Sequence, residues 1–224
     1  MARETKLPTT LEEFVVALAV AAAVIAVAGV LYWLQTLGQA KQRAALKALA
    51  ERLHWDPEPG DTAEDAFVRM HQGWLVWLGM RLNVTQGRGK HLQPTLHVDL
   101  ELALPRRLEA IPKDWQWGLI PAEQRRCFTV GVASLDARFV WMCDRAEQSR
   151  AQALLGEPDV QRALLALSDG SHGAVRLEKE RVSLILPDVP EETVVGGHAA
   201  ALTAVATALR QALAPARNEV RRGA

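Results

Sequence analysis

The sequence has no surplus of charge. Its 26 basic and 26 acidic side chains give a formal net charge of zero. A general nucleic-acid binder needs a basic excess to neutralise phosphates, so nucleic acid is not an expected partner. Cysteine is scarce as well. Cys127 and Cys143 are the only two, and neither sits in a C-x-x-C pair, which argues against a zinc ribbon or a thioredoxin-type site. Two free thiols are the expectation, with a disulfide as the lesser alternative. The catalytic signatures are missing too: no G-x-S-x-G elbow, H-E-x-x-H, Rossmann glycine fingerprint or EF-hand loop. Triads assemble from distant residues, so this lowers the prospect of an enzyme without abolishing it. The expectation is a non-enzyme, with no catalytic residue, cofactor or metal ligand assigned.

What the sequence does have is one long apolar run. Residues 14–34 read FVVALAVAAAVIAVAGVLYWL, without a charge or strong polar group. As a helix at about 1.5 Å per residue this spans roughly 31 Å, close to a bilayer's hydrocarbon thickness. A helix also satisfies its backbone polar groups internally, the condition for crossing lipid. Tyr32 and Trp33 end the run where amphipathic rings favour the headgroup level, and Glu12 and Glu13 mark its other boundary. A cleaved signal peptide is the competing reading. Such peptides carry a basic n-region and an apolar core of about 7–15 residues, whereas this run is longer and directly follows acidic residues. The run is therefore read as a retained anchor whose partner is the lipid bilayer. Arg3 and Lys6 precede it, while Lys41, Arg43, Lys47 and Arg52 follow. The positive-inside rule then favours a single-pass protein whose C-terminal domain is cytoplasmic.

Beyond the anchor the expected organisation is a stalk helix and linker (35–60), an α+β domain (61–214) and a disordered basic tail (215–224), with residues 1–13 as the N-terminal flank. Leu46, Leu49 and Leu53 recur at helical spacing in a helix expected from Lys41 to His54, and Asp56 to Gly60 is expected to stop it. Asp61 or Thr62 could cap a short helix reaching His71. A strand is expected from Trp74 to Gln86, turning at 87–90 into a second. There Leu96, Val98, Leu100, Leu102 and Leu104 share one face, with Thr95, His97, Asp99 and Glu101 on the other. Residues 106–124 read as irregular, followed by strands at 127–134 and 137–142. Helices are expected from Asp144 to Leu155 and Val160 to Leu167, then a hairpin (175–178 and 181–186) and an amphipathic helix from Gly197 to Ala214. This pattern predicts an α+β fold: an N-terminal transmembrane helix, then an antiparallel sheet packed with helices and a C-terminal amphipathic helix.

The segments FTVGVASLDARFVW (128–141), AQALLGEPDVQRALLAL (151–167), VRLEKERVSLIL (175–186) and LTAVATALRQAL (202–213) resemble a group of uncharacterised, membrane-anchored bacterial proteins. The resemblance covers roughly the last 140 residues and lies in core positions rather than reactive groups. It implies the architecture and supplies no activity.

Few residues stand out as candidates. Trp74, Trp77, Trp115 and Trp117 could form an interaction surface, since indoles favour interfaces, although core packing explains them more simply. Arg81, Arg88 and Lys90 could contact anionic headgroups. His97 and Asp99 share a strand face and are suitable metal ligands, but no companion cluster is visible, and a polar solvent face is the better reading. Gly196-Gly197-His198 could present amides to an anion at a helix start, although a loop-to-helix transition suffices. The resulting expectation is a membrane-tethered interaction or accessory module that binds a protein partner or a second copy of itself. The alternative is a lipid or small-molecule binding domain at the membrane surface, which requires an apolar cavity on the order of several hundred Å³. An enzyme would need His97, Asp99, His172 and Asp188 to converge.

Overall fold

A computed structural model describes residues 11–58, 66–85, 89–113, 126–170, 173–178 and 180–214. The chain divides into two units, residues 1–42 and 43–224. The first unit is helical as far as it is described, and the same helix, α1 (Leu11–Arg52), extends into the second. Every residue from Phe14 to Gln35 is exposed. This segment is long and apolar enough to cross a membrane.

In the second unit α1 ends in a Schellman arrangement. His54 adopts a left-handed conformation (φ 54°), and its N–H donates to Glu51 O while the Trp55 N–H donates to Ala50 O. The helix thus ends at Arg52, just short of the expected His54 and ahead of the proline-rich stretch. Leu46, Leu49 and Ala50 on its final turns are buried with Trp55 in the hydrophobic core.

The sheet has nine strands among the described residues, and every pairing between them is antiparallel. In chain order they are β1 (Asp56–Pro57), β2 (Ala66–His71), β3 (Trp74–Thr85), β4 (Gly89–Asp99), β5 (Leu108–Pro112), β6 (Cys127–Phe128), β7 (Phe139–Met142), β8 (Ala174–Glu178) and β9 (Arg181–Ile185). Their spatial order is β1-β2-β3-β4-β9-β8-β5-β7-β6. The first four strands form a meander, and the β8–β9 hairpin inserts between β4 and β5. One face carries Val76, Leu78, Leu96, Val98, Val182 and Leu184, each fully buried. The same core includes α4 (Pro158–Gly170) and the long C-terminal helix α5 (Glu192–Leu213), through Leu164, Leu167, Leu202 and Leu209 among others. Among the described residues the remaining helices are α2 (Ala133–Arg138) and α3 (Gln148–Gly156), the latter preceded by a 3₁₀ turn at Arg145–Glu147.

The predicted α+β class, with its antiparallel sheet and C-terminal helix, is the fold observed. Several local expectations are corrected. Residues 66–71 are a strand, not the end of a short helix. Gln72 and Gly73, both at positive φ, make a two-residue turn of the hairpin type that pairs His71 with Trp74. The β4 strand ends at Asp99 because Glu101 turns left-handed, so Leu102 and Leu104 lie beyond it. Residues 108–112, expected to be irregular, are an interior strand between β8 and β7. Ala133–Arg138 is helical, not strand. The Asp136 carboxylate accepts from the amides of Val130 and Gly131 and fixes the loop ahead of that helix. Of the turn expected at 87–90, Gly89 and Lys90 already belong to β4, while residues 87 and 88 and the tail after 214 lie outside the described residues.

Cys127 and Cys143 are not joined in a disulfide. Cys127 stands opposite Met142, one position before Cys143. Alternation along the strand then directs the two side chains to opposite faces, which keeps the sulfurs apart. Burial, followed by the charge of Asp144, raises the Cys143 thiol to about 11, so it is protonated at neutral pH.

A candidate ligand cavity at one end of the sheet

The face of the sheet opposite the core is polar. A cross-strand row places Trp77 beside His97, then Ser183, Arg176 and Glu109 in register. Trp77 and His97 stack in parallel, with centroids 5.0 Å apart and planes 3° from coplanar. Arg176 and Glu109 form an ion pair at 3.2 Å. Two positions along on the same face, Asp99 lies opposite Arg181. The guanidinium holds the carboxylate bidentately along one edge, Nε to Oδ1 at 2.5 Å and Nη2 to Oδ2 at 3.2 Å. Such a fork is the stronger form of this contact. It exists only because β9 docks against β4.

The start of β3, the end of β4 and the start of β9 meet at the same end of the sheet. A half-open cavity of about 800 Å³ lies there. Its walls include Trp74, Trp77, Arg81, Asp99, Glu101, Glu180, Arg181, Ser183 and Arg210. The odd spacing of Trp74 and Trp77 sends them to opposite faces of β3, so they form no single patch. Both nevertheless reach the cavity, which opens around the strand ends. Each indole N–H is already used: Trp74 donates to Thr207 Oγ1 and Trp77 to Glu58 Oε1, both at 3.0 Å. The Arg210 guanidinium sits over the Trp74 ring, 5.4 Å from its centroid.

Burial is the main reason that His97 is held down to about 3, and the Arg81 charge adds to it. The imidazole is therefore neutral through the physiological range. Burial also raises Asp99, opposed by Arg81 and assisted by Glu180 and Glu58. Because the folded His97 pKa lies below the ordinary 6.5, the unfolded chain binds the extra proton first. His97's share of the stability is full above about pH 6.5 and is lost as pH falls toward about 3. His198, lowered by burial, has the same sign, and Asp99, being raised, has the opposite one. Urea unfolding between pH 7 and 4 is expected to show a shallower acid loss for His97→Phe, which keeps the stack and removes the titration. An unaltered slope would mean that His97 is not a source of acid sensitivity.

The other candidates fall into four groups. Trp115, Trp117, Arg88, His172 and the Lys90 side chain lie outside the described residues. Arg81 lines the cavity. Gly196, Gly197 and His198 lie inside α5, which begins at Glu192. They therefore do not precede the helix as expected, and their amides are engaged within it rather than presented to an anion. Asp188 is exposed beyond the far end of β9 from Arg181, so it does not converge with Asp99. Among the described residues no group of three or more His, Cys, Asp or Glu could hold a metal. Sequence reasoning missed the roles of Glu101, Glu180, Arg181, Ser183 and Arg210. Only the tertiary fold, which pairs β4 with β9 and brings Arg210 of α5 to the same cavity, could have revealed them.

No protein-family model matches the chain, and no curated protein sequence matches it. Among solved structures, the fold is similar to the crystal structure of the mycobacterial trehalose monomycolate transport factor A, TtfA. The similarity has a TM-score of 0.50 at 12% identity and covers 77% of this chain and 95% of TtfA. At that identity the likeness establishes a shared fold.

Proposed function

We propose that the protein is a membrane-tethered, non-enzymatic accessory module. Residues 14–34 anchor it, and the α+β domain on the cytoplasmic side binds a protein partner or a second copy. The observation that carries this reading is the helix itself. It exposes side chains such as Ile25 at 71% and Trp33 at 59%, an apolar surface that lipid would cover. The described residues offer no converging nucleophile, base and orienting group, which favours binding over catalysis. The comparison protein is named as a transport factor, which suits a chain that hands on or positions a component rather than transforming it.

Purification in mild detergent with chemical crosslinking tests the reading. A reproducible crosslinked partner or homodimer is expected, and a solitary monomer would count against it. Protease treatment of sealed, cytoplasmic-side-in vesicles tests the orientation: the domain should be protected until the membrane is opened. The cavity of about 800 Å³ favours a second reading, a small-molecule binding domain at the membrane surface. That reading anticipated apolar walls. The walls found are largely charged and polar, which shifts the ligand from an acyl chain toward a polar group.

A further inference from the structure

The cavity walls restrict the chemistry of what could fill them. Three guanidinium groups, Arg81, Arg181 and Arg210, face three carboxylates, Asp99, Glu101 and Glu180. This balance gives no net charge with which to select a cation or an anion. Leucine contributes only Leu75 and Leu100 to the wall, too little to shelter an acyl chain. The polar groups instead combine dedicated donors, dedicated acceptors and the Ser183 hydroxyl, which can be either. A ligand that donates and accepts at many points while carrying no net charge matches them.

The two indoles narrow the class further. Because both N–H groups are satisfied by Thr207 and Glu58, the rings offer the cavity carbon surface rather than hydrogen bonds. Flat apolar rings set among carboxylates and guanidinia suit a molecule with a C–H face and a rim of hydroxyls. Asp99 and Arg181 are held by their bidentate pair, so part of that polar rim is fixed before any ligand arrives. We infer that this cavity binds a neutral sugar of disaccharide size, with Trp74 and Trp77 against its ring carbons and Asp99, Glu101, Arg81 and Arg181 on its hydroxyls. The inference deepens the second reading above by naming its ligand class. The sugar can be free or the headgroup of a glycolipid, since the walls recognise the same hydroxylated ring in both.

Calorimetric titration of the full chain tests this, in a polyoxyethylene detergent whose headgroup is not a sugar. One arm adds the free disaccharides maltose, sucrose and trehalose; the other adds dodecyl maltoside as the headgroup form. The expected result is saturable binding of at least one sugar, with Kd on the order of 0.1–1 mM. Glu101→Gln and Trp77→Phe, two conservative changes, should each weaken it by about tenfold or more. Circular dichroism checks that both variants retain the fold. Asp159→Asn, on α4 and outside the cavity wall, should leave binding unchanged. Binding of free disaccharide identifies a soluble ligand, and binding of the maltoside alone identifies a membrane headgroup; either supports the inference. No binding in both arms, binding that ignores the cavity variants, or tighter binding of inorganic phosphate or phosphocholine would overturn it. Failure here with an intact crosslinked partner leaves the accessory role standing. Turnover of a bound sugar would instead overturn the non-enzymatic reading and keep the site.

Discussion

Replacing Val24 and Val27 together with lysine is expected to move the protein out of the membrane. Both residues lie in the middle of the apolar run, exposed at 63% and 60% with no protein contact to compensate a charge. A lysine at the centre of a membrane helix costs roughly 2.5–3.5 kcal/mol on insertion scales. Two such residues cost about 5–7 kcal/mol, enough to shift an insertion equilibrium by about four orders of magnitude. Neighbouring positions cannot relieve this easily, because a central lysine must snorkel the longest distance to water. The measurement is extraction with alkaline carbonate: the wild-type chain and a Val24→Ile control stay in the pellet, and the double variant appears in the supernatant. A double variant that still resists extraction would remove residues 14–34 as the anchor. N-terminal sequencing of the mature wild-type chain separates the other possibility. A start beyond Leu34 would identify a processed signal, whereas retention of the run supports an anchor.

The long apolar helix was legible because its signal is local and redundant, with every residue from Phe14 to Leu34 repeating the same statement. The β4 strand was legible for a similar reason. Leu96, Val98 and Leu100 alternate with polar neighbours over enough positions to fix a two-residue period, and all three are buried. The β5 strand was not. Its five residues, LEAIP, are too few to establish a period, and its strand character comes from β7 and β8 on either side. The β2 strand failed for a different reason: Gln72-Gly73 supplies the hairpin turn without the usual Asn or Asp ahead of the glycine. The cavity was hidden by distance along the chain. Asp99 and Arg181 are 82 positions apart, and nothing near either residue points to the other. Trp74 and Trp77 did attract notice by type, but their spacing of three already implied that a strand would divide them between its faces.

The second large effect is expected in the core, at Trp141. The side chain is 1% exposed and is the largest of the fully buried ones. Its indole meets the Phe139 ring edge-on, with centroids 5.4 Å apart and planes at 62°. The register places it opposite Ala110 on β5 and Phe128 on β6, so a small residue on one side makes room for the bulk. Truncation to alanine removes both the transfer free energy of the indole and the contacts of its neighbours, at a cost of about 3–5 kcal/mol. Against a domain stability of about 5–15 kcal/mol, that is a large share, and Trp141→Ala should unfold at markedly lower urea or temperature. Trp141→Phe should behave differently. The buried Nε1 finds no acceptor among the described residues, and an unmet buried donor costs about 1–3 kcal/mol. Phenylalanine leaves a smaller cavity and removes that donor, so the two changes partly offset. The difference between the two variants, read from urea midpoints at constant slope, separates volume from polarity. A phenylalanine variant as unstable as the alanine would mean that the indole nitrogen is engaged in the folded protein. Packing alone would then no longer account for tryptophan at this position.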